Sequence, residues 1–202
     1  MSDTVTRYEL PTTGITLLGY IVRRMHKTEL LSPVPELIAS GQTGKALAQV
    51  ALYAVTSSTS FGRAYYQPRF DSVGGEVSEA DLQTGAIVKA TLEASSPTYR
   101  ISYSAAMPNG DLFSGTEEIT GTTIELRGLG MPAPSKFHFK SGNYSVELTG
   151  ILTSELALSF IGRTRIRAYG FLNFSDNASN TGKLTLDRSN RIKFEINGRE
   201  FA

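Results

Sequence analysis

From Val88 to Ile196 the chain repeats one pattern, in which apolar and polar residues alternate over short runs closed by turn-forming residues. Val88, Ala90 and Leu92 fall on one side of an extended chain, and Lys89, Thr91 and Glu93 on the other. The alternation returns at Ile101/Tyr103, Ile124/Leu126, Phe137/Phe139, Tyr144/Val146/Leu148, Leu156/Leu158/Phe160, Leu184/Leu186 and Ile192/Phe194/Ile196. Turn signals lie between the runs: Pro108-Asn109-Gly110, Gly121, Ser141-Gly142-Asn143, Asp176-Asn177 and Ser189-Asn190. Strands recurring roughly every 8–12 residues, each with one dry and one wet face, predict an antiparallel all-β assembly.

The N-terminal part reads differently. Strand candidates lie at Thr4–Leu10 and Gly14–Val22, the second apolar on both faces and equally readable as a short helix. Ser32-Pro33 can open a helical turn, with Glu36 placed to favour the helix dipole. From Thr43 to Val55 the chain is Ala-rich, and Leu47, Val50, Ala51 and Ala54 keep the spacing of one helical face. The expected fold is therefore mainly β: an antiparallel β-barrel (lipocalin-like) or closed sandwich of about 8–11 strands. A helical segment over 32–56 packs on it or caps it, and 1–202 is read as a single domain.

Composition narrows the chemistry. The 202 residues hold no Cys and two His, which removes a disulfide framework, a thiolate nucleophile and a Cys-based zinc site. A net charge of +1 gives no electrostatic footprint for nucleic acid. The N-terminus shows no basic, then apolar, secretory pattern, and Ile15–Val22 is too short to span a bilayer. A soluble, cytoplasmic protein is expected. The Asn-x-Ser sequences at Asn143, Asn173 and Asn177 are read as chance.

Familiar catalytic motifs are missing or broken. Ala39-Ser40-Gly41-Gln42-Thr43-Gly44-Lys45-Ala46 resembles a phosphate-binding loop, but Ala replaces both its first Gly and its magnesium-binding hydroxyl. Gly128-Leu129-Gly130 runs into Met131-Pro132 and cannot open a dinucleotide-binding helix. His26 sits in a basic stretch, and His138 alternates out of the Phe137/Phe139 face between Lys136 and Lys140, so neither suits a metal. A Ser–His–acid triad is defined by geometry and stays open. Of the adjacent pair Glu117-Glu118, strand alternation lets only one point inward; a solvated edge is the expected role.

Two features suggest a ligand. Arg163, Arg165 and Arg167 recur at period 2 on one face of one strand, either as a solvated face or as forks for a carboxylate or phosphate head group. Aromatic residues, among them Tyr103, Phe137, Phe139 and Tyr144, occupy dry-face positions that would line a packed core or a cavity.

Tyr99-Arg100-Ile101-Ser102-Tyr103, followed by Asn109-Gly110-Asp111-Leu112-Phe113-Ser114-Gly115, resembles a hairpin in β-rich auxiliary regions of bacterial cholesterol-oxidase-like flavoproteins. The resemblance covers 98–121, contains none of the flavin-binding glycines, and implies an association with lipid or sterol metabolism without catalysis by this chain.

The expectation is a non-catalytic protein, without cofactor or metal, that binds a small apolar or amphipathic, lipid-like molecule. Arg163, Arg165, Arg167, Tyr103, Phe137, Phe139 and Tyr144 are its candidate contacts. Two alternatives are a cofactor-free isomerase, cyclase or hydrolase using an inward Tyr with Glu117 or Glu118, and an interaction module. The latter would dimerise or partner an enzyme.

Overall fold

A computed structural model describes residues 17–58, 75–95, 98–120, 131–158, 164–189 and 191–201. The N-terminal part is helical: α1 (Leu17–Met25), a 3-10 turn (Thr28–Leu30), α2 (Val34–Ala39) and α3 (Thr43–Ser57). Ten strands follow: β1 (Gly75–Ala80), β2 (Ile87–Ser95), β3 (Thr98–Ala106), β4 (Leu112–Thr120) and β5 (Met131–Ser141), then β6 (Tyr144–Leu158), β7 (Thr164–Asp176), β8 (Thr181–Leu186), β9 (Ile192–Ile196) and β10 (Arg199–Phe201).

The strands form one antiparallel sheet in sequence order, β1 to β10. The mainly-β reading and the expected strand number hold. Closure does not: among the described residues no pairing joins β1 to β10, so the sheet is open. The physical reason is that helices cover its dry face. α1 packs on β1 and β2, and α3 on β6 and β7, so apolar burial does not require the sheet to meet itself.

Residues 14–22, readable as strand or helix, resolve in their described part as α1. Leu18, Ile21, Val22 and Met25 are buried at helical spacing. α3 buries Ala46, Leu47, Val50, Ala51 and Ala54, and also Tyr53 and Val55 from a neighbouring face. Its first residue docks at the β7–β8 turn, where Asn180 Nδ2 donates to Thr43 Oγ1 at 2.9 Å. Farther along, the Tyr53 ring meets Phe113 of β4 edge-on, with centroids 4.8 Å apart. The strand candidate at Thr4–Leu10, Gly121 and the Ile124/Leu126 run lie outside the described residues.

Antiparallel order puts the turns at 81–86, 107–111, 142–143, 177–180 and 197–198 at one end of the sheet. Short polar side chains fold them. Asp176 Oδ1 accepts from the amides of Ala178 and Asn180, and Asn109 Oδ1 from that of Asp111. Asn197-Gly198 supplies the two positive φ angles, 51° and 75°, that a two-residue hairpin loop requires. No helix among the described residues is long and apolar enough to cross a membrane.

Candidate functional site

Three neighbouring strands build the centre of the covered face. Directly opposed residues share a face, so β3, β4 and β5 present Ala105–Phe113–Phe139, then Tyr103–Gly115–Phe137, then Ile101–Glu117–Ser135. Glycine leaves the middle of the second row empty. A Cβ on Gly115 would lie 2.2 Å from Phe137 Cδ1, so the Phe137 ring occupies that space. There it stacks on Tyr103 at 6.3 Å and on Phe113 at 5.7 Å. The result is an aromatic wall running from Tyr53 through Phe113 and Phe137 to Tyr103.

At the end of that wall lies Glu117, with no exposed surface. Its Oε2 accepts from the Tyr103 hydroxyl, and its Oε1 from the Ser58 hydroxyl just past α3. Ser135 Oγ lies 3.0 Å from Oε1 and 2.8 Å from the Ala133 carbonyl, so its single proton serves one of the two. All four residues are buried. Removing a carboxyl from water costs several kcal/mol, on the order of the gain from burying an aromatic ring, and hydroxyl donors offset part of it. Such a group can accept, relay or take up a proton and can orient a polar ligand group.

The strand parity explains Glu117. Phe113, Gly115 and Glu117 point to the covered face, and Leu112, Ser114, Thr116 and Glu118 to the open one. Glu118 is exposed and accepts from Arg100 at 3.0 Å. Glu118 is solvated as expected, though on an interior strand rather than an edge, and the expectation fails for Glu117. Ser135 was legible as the cross-strand neighbour of Glu117 once register is known. Ser58 carries no local signal, because a helix 59 residues away in sequence delivers it.

The candidate ligand contacts separate. Tyr103, Phe137, Phe139 and Tyr144 are all buried on the covered face, but only Tyr103 and Phe137 stand beside Glu117. Tyr144 lies at the β5–β6 hairpin, six residue pairs from the Ser135–Gly150 pair, which is about 20 Å along the strands. Its hydroxyl donates to Asp176 Oδ2 at 2.9 Å. Burial, the bond to Asp176 and that carboxylate's charge all push its ionisation upward. Arg163 lies outside the described residues. Arg165 and Arg167 belong to β7, opposite Ala157 and Glu155.

A further constellation appears on the open face. Pairing sets Ser114, His138 and Glu147 abreast on β4, β5 and β6. No hydrogen bond links these three described residues, so the nucleophile–base contact of a triad is not made.

Among known proteins, no family model matches this chain, and no curated protein matches it.

Proposed function

We propose that the protein binds a small amphipathic molecule between its sheet and its helices. Glu117, Tyr103, Ser58 and Ser135 hold the polar group, and the Phe137–Phe113 wall takes the apolar part. The observation that carries this reading is the fully buried Glu117 carboxyl with hydroxyls converging on it from three separate elements. A sheet needs no acid there, because an apolar residue of similar size would fill the position at no desolvation cost. Stability given up at an aromatic-lined position fits recognition of a ligand.

The ligand end assigned to Glu117 is a hydrogen-bond donor such as an alcohol. The resemblance to auxiliary regions of cholesterol-oxidase-like flavoproteins, over 98–121, spans both Tyr103 and Glu117 and makes a sterol alcohol the first probe. Native mass spectrometry of the full chain, alone and with added cholesterol, tests the proposal. A stoichiometric adduct lost in Glu117→Ala is expected. An unliganded wild-type spectrum in both conditions, with no uptake of a fluorescent fatty alcohol, overturns it.

A second reading has its own support. The Tyr103–Glu117 hydrogen bond is the inward polar pair that acid–base chemistry requires. Conversion of the bound molecule by wild type, with binding but no conversion in Glu117→Gln, would favour a cofactor-free isomerase, cyclase or hydrolase.

A further inference from the structure

The sheet carries a gap beside Glu117. Strands β4 and β5 pair from Leu112–Lys140 to Glu117–Ser135 and then stop. Both strands nevertheless run on: β4 stays paired with β3 as far as Thr120, and β5 with β6 as far as Met131. Among the described residues this is the one place where two neighbouring strands both continue after their own pairing has ended.

Two prolines give the reason. Pro132 and Pro134 have no N–H and cannot donate to a ladder. The β5–β6 pairing passes through both without a break, opposite Thr153 and Ile151. Their missing donors therefore lie on the β4 side, where continuing the register would place Thr120 and Glu118. The last pair before the prolines is the one that carries the cluster, Glu117 and Ser135, whose side chains meet at 3.0 Å on the covered face. On the open face the same stretch is exposed at Glu118, Pro132 and Pro134, and Ile151 beside Pro134 is 41% exposed.

We infer that small molecules reach the Glu117 cluster from the open face, through the gap between β4 and β5. Pro132, Pro134 and Ile151 form an apolar lip there that favours an amphipathic solute. Entry under the helices would part α1 and α3 from the apolar core they bury, whereas opening at the gap breaks no β4–β5 pair. The inference deepens the proposed binding of an amphipathic molecule and rests on it for what passes, but the gap itself is tested without a ligand.

The chain has no Cys, so Ser135→Cys places a single thiol at the head of the gap. Its reaction with methyl methanethiosulfonate is followed by mass spectrometry, alone and combined with Pro132→Val and Pro134→Val, which restore two donors facing β4. The proline substitutions should slow labelling about ten-fold, the effect of two added ladder hydrogen bonds. Ala133→Cys, buried two residues farther along β5, repeats the measurement if Ser135→Cys does not fold. Equal rates with and without the prolines overturn the inference, as does a thiol that reacts only as fast as the chain unfolds. Stopped-flow uptake of a fluorescent fatty alcohol then separates the two proposals. Slower entry at unchanged affinity is expected in the double proline variant, and unchanged entry overturns the route for the ligand. Slowed labelling with no uptake by wild type sinks the binding reading alone and leaves the route standing.

Discussion

Asp81 and Glu117 are both buried carboxylates held by hydroxyl donors, yet their surroundings differ in kind. Asp81 sits in the β1–β2 turn, and its oxygens accept from the backbone amides of Gln83 and Thr28 and from the Thr28 hydroxyl, at 3.1, 3.4 and 2.6 Å. It satisfies main-chain groups that the turn and the 3-10 segment would otherwise bury unpaired, and so fastens the helical layer to the sheet. Glu117 instead gathers the side-chain hydroxyls of Tyr103, Ser58 and Ser135 within regular β structure. One acid ties main-chain groups of two segments together; the other bonds only side-chain hydroxyls, which the strand pairing does not require. Such contrast separates a structural carboxylate from a candidate functional one more sharply than burial does.

The largest expected effect breaks the structural side of the pair. Asp81→Ala leaves buried donors unpaired and should cost about 2–3 kcal/mol in chemical denaturation. A loss near zero would mean the turn does not fasten the helices. Gly115→Ala comes next. Its Cβ would press on Phe137, displacing the ring from Tyr103 at a cost of about 1–3 kcal/mol. Ligand adducts should weaken in the same protein, and intact adducts would detach the aromatic wall from the site.

Glu117→Gln keeps the shape and one acceptor, so stability should change by less than about 1 kcal/mol. Binding of a fatty alcohol, followed by fluorescence titration, should fall at least about ten-fold. If Glu117→Gln destabilises as strongly as Asp81→Ala, both acids are structural and the comparison collapses.

The smallest effect is one of pH. Burial by itself raises the Asp81 pKa, but hydrogen bonds from the Thr28 hydroxyl and the Gln83 and Thr28 amides, with the charge of His26, bring it below the ordinary carboxylate value. A carboxylate whose folded pKa is depressed stabilises the fold above its unfolded value, near about 4, and loses that contribution as pH falls through the folded one. Denaturation midpoints of wild type and Asp81→Asn should therefore converge below about pH 4. A gap that persists in acid would assign the Asp81 effect to packing.

Much of the β architecture was legible in the sequence. Alternation at Val88/Ala90/Leu92 and Tyr144/Val146/Leu148 correctly separates buried from exposed positions, since side-chain direction along a strand is a local property. The helix at Thr43–Ser57 was equally plain from its spacing. Two matters were not local. Leu17–Met25 is apolar enough for either state, and packing on β1 and β2 decides for the helix. Sheet closure depends on what else can cover the dry face, and the helices supply that cover.

For the candidate site, the sequence by itself determined that at most one of Glu117 and Glu118 turns inward, and that Tyr103 and Phe137 share a dry face. Tertiary structure decided that the inward acid is Glu117, that Gly115 admits the Phe137 ring beside Tyr103, and that Ser58 and Ser135 complete the cluster. It also separated Tyr144 from that cluster by the length of a hairpin. The physical reason is range. Periodicity fixes which way a side chain points relative to its neighbours, whereas strand register and helix docking fix which side chains meet, and those are set by contacts between segments far apart in the chain.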